Sequence, residues 1–310
     1  MYQVVFISFP PEQGYEEAGH IKFYGMFCND PQQIQSDWDN LPGSPVDASY
    51  FTTSLHNVNF NRHAVFAIES TLVKLPQNQY INANTVNIFS HLTSIATQAP
   101  LPNTFDNFFI MIIFYKVKIV IMLTRTEENG ILKADEYWNV ETNEFIVTLL
   151  DEQQAGAVVY RKIFLKNKLK CEEYAFEHIQ FLGWPDQGVP DTTDTIIQIA
   201  EKVLAQTNVP HIVHCSAGIG RTGAFIGFLN FIYGISIGIN LPIFEIVSRM
   251  RHQRAGIIQT QSQYEFIHSL AERFIHLQAL NFLARFCILG SLPEFSATKI
   301  ANMTPFTSRM

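Results

Sequence analysis

A cysteine and an arginine flanking a glycine-punctuated turn carry the clearest chemistry in the 310-residue chain. In His214-Cys215-Ser216-Ala217-Gly218-Ile219-Gly220-Arg221-Thr222-Gly223 the cysteine closes a short apolar run, and the arginine precedes a long uncharged one. Successive backbone N–H groups of such a turn, with the N-terminus of the next helix, form a concave anion site. Glycine supplies the positive φ angles and the close backbone approach that the wrap requires. The guanidinium of Arg221 can then grip two oxygens of a tetrahedral oxyanion. The same dipoles favour thiolate over thiol at Cys215, so phosphoryl transfer to sulfur is the chemistry this block can perform. A lone cysteine is more often a small buried apolar residue and a lone arginine a surface cation. Here strand, glycines, arginine and helix all occur where an anion cradle needs them.

The elements around the block can be read from periodicity. Residues 211–215 form a short apolar strand, and residues 222–244 carry no charge. Gly227, Asn230, Gly234, Gly238, Asn240 and Pro242 break that run into pieces shorter than the roughly 20 apolar residues of a membrane span, so a buried core helix followed by a turn is expected. Residues 104–114 read as a helix and 117–123 as a buried strand. Residues 157–165 and 171–181 read as an antiparallel hairpin turning at Lys166-Asn167-Lys168. Asp191 or Thr192 can cap a helix burying Ile196, Ile199, Ala200, Val203 and Leu204. A later helix opens near Pro242, presents Ile243, Ile246, Val247 and Met250, and stops at Gly256. The last opens with Ser262-x-x-Glu265, a capping-box pattern, and its periodicity fades beyond about residue 278. Residues 291–310 read as a mobile tail. This order of elements predicts an α/β (α+β) domain with a mixed sheet.

Composition bounds the rest. At 47% hydrophobic and 16% charged, the chain is neither disordered nor fibrous. Its net charge of −7 argues against a broad nucleic-acid-binding surface, so any anion site must be local. The four cysteines, Cys28, Cys171, Cys215 and Cys287, lack CxxC spacing, and no leader-like segment opens the chain. A reducing, cytoplasmic setting is expected, with neither a zinc ribbon nor a membrane span.

The block 214–223 resembles the phosphate-binding loop of the phosphotyrosine-specific protein tyrosine phosphatases. Further matches cover roughly residues 58–276 in the family's order. Trp184-Pro185-Asp186-Gln187-Gly188-Val189-Pro190 resembles the mobile loop bearing the general acid, and Gly256-Ile257-Ile258-Gln259-Thr260-Gln261-Ser262-Gln263-Tyr264 resembles the glutamine loop. Tyr80-Ile81-Asn82-Ala83 and Pro100-Leu101-Pro102-Asn103-Thr104 resemble framework motifs. The resemblance implies one phosphatase-like domain over residues 58–277, built on a highly twisted mixed β-sheet flanked by helices. Residues 1–57 would be a helical or loop segment of the same domain, and 278–310 a partly disordered extension. The compact domain without regulatory modules is similar to viral members of the family, those of polydnaviruses, for which the setting would be host cytoplasm.

The resemblance also assigns roles. Asp186 would protonate the leaving oxygen as the P–O bond breaks, and Trp184 would anchor its loop. Trp-Pro-Asp-x-Gly taken alone is equally an ordinary surface turn. Gln259 and Gln263 would hold phosphate and water, Thr222 would donate to the departing thiolate, and His214 would tune the thiol's surroundings. Ser216, Ala217, Gly218, Ile219 and Gly220 would line the phosphate. Glu128 would orient Arg221, with Glu127 as a competing candidate. Lys133 would lie near the acid loop or be a solvated surface lysine. No metal or cofactor is implied, the partners would be phosphotyrosine proteins, and the chain would be a monomer.

The match departs from the family at the pocket rim. Where the family has Asn-Arg-Tyr followed two positions on by an acid, this chain has Asn61-Arg62-His63-Ala64-Val65. His63 can still stack as a pocket wall but is shorter than tyrosine, and Val65 accepts no hydrogen bond. Ala99 replaces a usual glycine, and Phe109 stands where tryptophan is common. An active tyrosine phosphatase is the leading reading. A capture module without turnover is opposed by the complete set of catalytic residues. A superfamily phosphatase for lipid or RNA 5′ phosphates is opposed by the complete tryptophan-proline-aspartate loop.

Overall fold

The computed structural model describes residues 30–45, 47–185 and 188–288. Helix α1 (Pro31–Asn40) is capped by Asp30, whose side chain accepts from the Gln32 N–H, with Pro31 at its first position. The short α2 (Thr52–His56) follows, then the hairpin β1 (Ala83–Phe89) and β2 (Leu92–Thr97). Helix α3 (Phe105–Phe114) leads into β3 (Ile119–Met122), a buried strand of β-branched residues and methionine. Two short strands, β4 (Glu127–Glu128) and β5 (Ile131–Leu132), pair as a small hairpin. A long meander comprises β6 (Phe145–Ala155), β7 (Val158–Asn167) and β8 (Glu173–Phe181). Then come α4 (Asp194–Leu204), β9 (His211–His214), α5 (Gly220–Ser236), α6 (Ile243–Arg251) and α7 (Gln261–Ile288).

The large sheet is mixed, with seven strands in the order β1-β2-β9-β3-β8-β7-β6. Strand β9 runs parallel to β2 and β3 at its centre, and β3 runs parallel to β8, while the outer pairs are antiparallel. Side chains of the central strands alternate between two cores, as the pleat requires. Val120, Met122 and Ile212 pack with α3, whereas Ile119, Ile121 and Val213 pack with α4 to α7. This alternation sends His214 toward α3, where its ring meets Phe108 and Tyr137, and Cys215 toward α5. The cysteine therefore leaves the carboxyl end of a central parallel strand, where open α/β sheets present their ligand sites.

The uncharged run is α5, buried along almost its whole length between the sheet and the last two helices, as expected for a core helix. Among the described residues no helix is long and apolar enough to cross a membrane. Other expectations shift. Helix α4 starts at Asp194 rather than after Asp191 or Thr192, and Thr193 makes no side-chain cap. Instead Asp194, in the first turn, receives two hydrogen bonds from Arg273 of α7 at 2.7 and 2.9 Å, a tertiary contact that settles the start. The hairpin turn falls two residues later than read, because β7 runs through Asn167, whose side chain accepts from the Leu169 and Lys170 N–H groups. Helix α7 opens two residues earlier than the Ser262-x-x-Glu265 box implies. The Thr260 hydroxyl accepts from the Gln263 N–H, and Glu265 bonds the Gln261 side chain instead. The helix also continues ten residues beyond 278, to Ile288. The tail reading of 291–310, and residues 1–29 of the N-terminal segment, lie outside the described residues.

Helix α5 crosses the chain after α6 at close range because Gly223 has no side chain. A Cβ there would stand 2.7 Å from both the Ile257 Cγ1 and the Ile258 backbone nitrogen. Gly223→Ala should cost about 1–3 kcal/mol through overpacking, against about 1 kcal/mol that alanine returns as helix propensity. A net loss is expected, read as a lower urea midpoint at unchanged slope. A raised midpoint would mean that the backbone at Ile258 yields.

Candidate active site

The loop after β9 is fixed at its ends by the neighbouring strands. The His214 carbonyl accepts from Leu123 N at 2.8 Å, and the Ser216 carbonyl accepts from Ala99 N at 3.0 Å. Gly218 then turns through φ +71°, and a Cβ there would lie 2.0 Å from the Thr97 carbonyl oxygen, so only glycine fits. The Ile219 carbonyl accepts from Gly223 N, within α5, and from Ile258 N of the glutamine loop, both at 3.0 Å.

Between these anchors lies Arg254, fully buried. Its Nε donates to the Gly218 carbonyl at 2.7 Å and its Nη2 to the Ala217 carbonyl at 3.3 Å. Its Nη1 donates to the side-chain oxygens of Asn84 at 2.8 Å and Asn82 at 3.1 Å. Carbonyl and N–H point in opposite directions across each planar trans peptide. With the carbonyls of residues 216 to 219 taken by outside partners, the N–H groups of residues 217 to 220 are left to the concave side. Burial pushes Arg254 down to about 10, with Tyr80 and Cys215 pulling the other way, so it stays a cation at neutral pH.

Arg221 is gripped by Glu128. The two form a bidentate pair, Nη1 to Oε1 at 2.5 Å and Nη2 to Oε2 at 2.7 Å, and Nη1 also donates to the Leu123 carbonyl at 3.2 Å. Burial alone would raise the Glu128 carboxyl. The Arg221 guanidinium, the Thr124 hydroxyl and the Arg125 N–H outweigh it and hold the group below the usual carboxylate range. Glu127, its rival in the sequence, is exposed. Gln259 N donates to the Gln263 Oε1 at 2.9 Å, and both side-chain amides crowd Gly220, where a Cβ would lie within 2.8 Å of each. Thr222 Oγ1 is buried without a hydrogen-bond partner among the described residues. Trp184 is buried edge-on against Phe266, and its Nε1 donates to the Gly188 carbonyl at 2.9 Å. Asp186 itself lies outside the described residues. Lys133 is half-buried near the rim, where its charge acts on His63. His63 shares a hydrogen bond with the Ser216 hydroxyl at 2.9 Å.

His214 is held from both ring nitrogens rather than through the thiol. Its Nδ1 donates to the Cys215 carbonyl at 3.0 Å, which leaves Nε2 to accept from the Tyr137 hydroxyl at 2.6 Å. The Tyr137 oxygen accepts from His178 Nε2 at 2.9 Å, and His178 Nδ1 accepts from Arg161 Nη1 at 3.3 Å. Burial drives His214 down to about 4 and His178 well below its ordinary range, so both rings are neutral. The result is a one-way chain of donors that ends on the carbonyl of Cys215.

Comparison with known proteins places this arrangement. The sequence model of the protein-tyrosine phosphatase family matches residues 57–272. The chain belongs to the protein-tyrosine phosphatase family. It is 36% identical over 240 residues to the rat tyrosine-protein phosphatase non-receptor type 20, covering 73% of this chain and 57% of the relative. It is 33% identical over 279 residues to the Drosophila tyrosine-protein phosphatase Lar, covering 84% of this chain and 14% of that one. The chain thus spans about half the length of the first relative and a small part of the second. Among solved structures, a protein tyrosine phosphatase of Trypanosoma brucei superposes with a TM-score of 0.72 at 30% identity, covering 79% of this chain and 92% of that one. One of Trypanosoma cruzi gives 0.69 at 28% identity, covering 80% and 94%.

In this member of the phosphatase family the sequence reading overlooked Arg254, Tyr137 and His178 as parts of the site. Only His178 left a signal, a histidine at the inward parity of β8 between Phe176 and Gln180. Arg254 and Arg251, three residues apart near a helix end, look like ordinary solvated cations.

The Arg221 grip makes a test. Glu128→Gln keeps the shape and removes the charge, and a charge-assisted hydrogen bond is worth about 1.5–3 kcal/mol. Oxyanion inhibitors should bind roughly ten- to hundredfold more weakly by titration calorimetry. Unchanged affinity would show that Arg221 is oriented without the Glu128 charge.

Proposed function

We propose that the chain is a protein-tyrosine phosphatase that hydrolyses phosphotyrosine in proteins through a phosphocysteine intermediate. The observation that carries this reading is the outward satisfaction of the loop carbonyls around Cys215, beside an arginine already oriented by a buried carboxylate. Such a site is preorganised for a tetrahedral dianion. Residues 58–277 form the catalytic unit, acting as a monomer in the cytoplasm.

In the first step the sulfur of Cys215 attacks phosphorus, forming the S–P bond as the P–O bond to the phenol breaks. Asp186 gives its proton to the leaving oxygen. The amides of residues 217 to 220 and the Arg221 fork hold the equatorial oxygens, whose charge the cradle matches better as the transition state forms. In the second step a water held by Gln259 and Gln263 attacks phosphorus, Asp186 takes its proton, and the S–P bond breaks. The Thr222 hydroxyl, buried without another partner, is free to donate to the sulfur as charge returns to it. Removing that donor would leave the leaving thiolate less stabilised. His214, held neutral, fixes the backbone beside the nucleophile.

Two variants test the reading. Cys215→Ser should abolish turnover of an aryl phosphate while retaining oxyanion binding, because the loop amides and Arg221 persist. Substantial residual turnover would overturn the thiol mechanism. Asp186→Ala should lower kcat by roughly a hundredfold or more with poor leaving groups and much less with activated ones, the range of general acids. Equal losses across leaving groups would remove Asp186 from the role of proton donor.

A further inference from the structure

The rim of the pocket is built differently from its floor. Residues 62–65 make a tight turn in which His63 and Ala64, neither of them glycine, hold φ +56° and +50°. Each such residue is strained and persists only where the surroundings overdetermine it. They do so here from both sides. The Arg62 N–H donates to Gln98 Oε1 at 2.7 Å, and the Arg62 guanidinium pairs with Asp135 at 2.6 Å. On the far side Asn82 Nδ2 donates to the Val65 carbonyl at 2.5 Å and to Asn61 Oδ1 at 2.8 Å. The strained turn has one evident result. It lays the exposed imidazole of His63 over the active-site loop, with Nε2 2.9 Å from the Ser216 hydroxyl, next to the nucleophile.

We propose that His63 is a specificity-determining residue that recognises the charge of the substrate phosphate, so that the pocket wall is titratable and capture tightens when the imidazole is protonated. This rests on the phosphatase reading above. A phenol wall recognises the ring of phosphotyrosine by stacking, whereas an imidazole bonded to the Ser216 hydroxyl sets a potential cation against the loop that would hold the phosphate. With Val65 offering no carboxylate to a peptide backbone, selectivity moves from the flanking peptide to the dianion.

The charged surroundings set the sign. Arg62, neutralised by Asp135, lies on the same turn, and Lys133 approaches from the segment after β5. Across the Ser216 bond stands Cys215, next to Ser216 in the loop, and Arg221 follows at the start of α5. Burial first, then Arg62 and Lys133, hold the imidazole below its ordinary range. A bound dianion works the other way and raises it. By linkage, affinity must increase as pH falls through that interval, tenfold for each unit of upward shift.

The test uses sulfate, which stays a dianion throughout and so reports only protein groups. Its dissociation constant is measured from about pH 8 to 5 for the whole chain and for His63→Gln. The wild type should gain roughly tenfold more affinity across this range than the variant. In parallel, the His63 ring signal, assigned by its loss in His63→Gln, is titrated by NMR in the wild type with and without saturating sulfate. Its midpoint should rise by about one unit. Parallel sulfate profiles, or a midpoint indifferent to sulfate, would overturn the proposal. The NMR measurement needs no variant to fold beyond the assignment, and it reads binding without turnover. Aryl phosphate turnover that survived Cys215→Ser would sink the catalytic reading and leave the His63 result to stand or fall by itself.

Discussion

Everything at the floor of this pocket depends on one buried cation. Arg254 has no carboxylate partner among the described residues, yet it is removed from water. Burying a charge in this way is costly unless hydrogen bonds replace the lost hydration. Arg254 recovers it from neutral acceptors, two loop carbonyls and two asparagine amides. The cost explains why β1 carries Asn82 and Asn84 at or beside its buried start, positions where an apolar residue would otherwise pack. It also explains the shape of the loop, since peptide planes whose carbonyls are pinned outward can turn only their N–H groups toward the anion.

Arg221 solves a different problem. A ligand-facing guanidinium cannot be satisfied on every edge by protein, because some donors must stay available. Glu128 therefore occupies two donors and fixes the plane of the group. A buried ion pair of this kind adds little net stability, since desolvation of both partners offsets their attraction. What it supplies is orientation without reorganisation at the moment of reaction. One arginine thus shapes the cradle from behind while the other completes it from the front.

How legible this was in the sequence follows from where each interaction is encoded. Strand β9, the loop and α5 are contiguous, and their chemistry is local: apolar run, nucleophile, glycines, cation, uncharged helix. They could be read directly, as could the inward faces of α4 and α6. Starts and stops governed by distant partners could not. Arg273 sets the beginning of α4 from α7, 79 residues away. Arg254 illustrates the same limit within the site. Its neighbours Gly218 and Asn84 lie 36 and 170 residues away, and nothing in a local window distinguishes a cation that folds inward from one that faces water. Glu128 could be chosen over Glu127 only through the resemblance, because the two differ solely in the face of a two-residue strand.

The separation between floor and rim has a physical basis. The floor is specified by backbone hydrogen bonds and glycine geometry, so a side-chain change there either clashes, as at Gly218, or orphans a buried donor. The rim is a turn held by Arg62, Asn61 and Asn82, and the side chains of His63 and Val65 project from it without serving its own bonds. Their identity can therefore change while the turn keeps its strained course. That course still delivers whatever residue occupies position 63 to the Ser216 hydroxyl. The chemistry is thus fixed by the main chain, and recognition is left to side chains at 63 and 65 that the turn does not need.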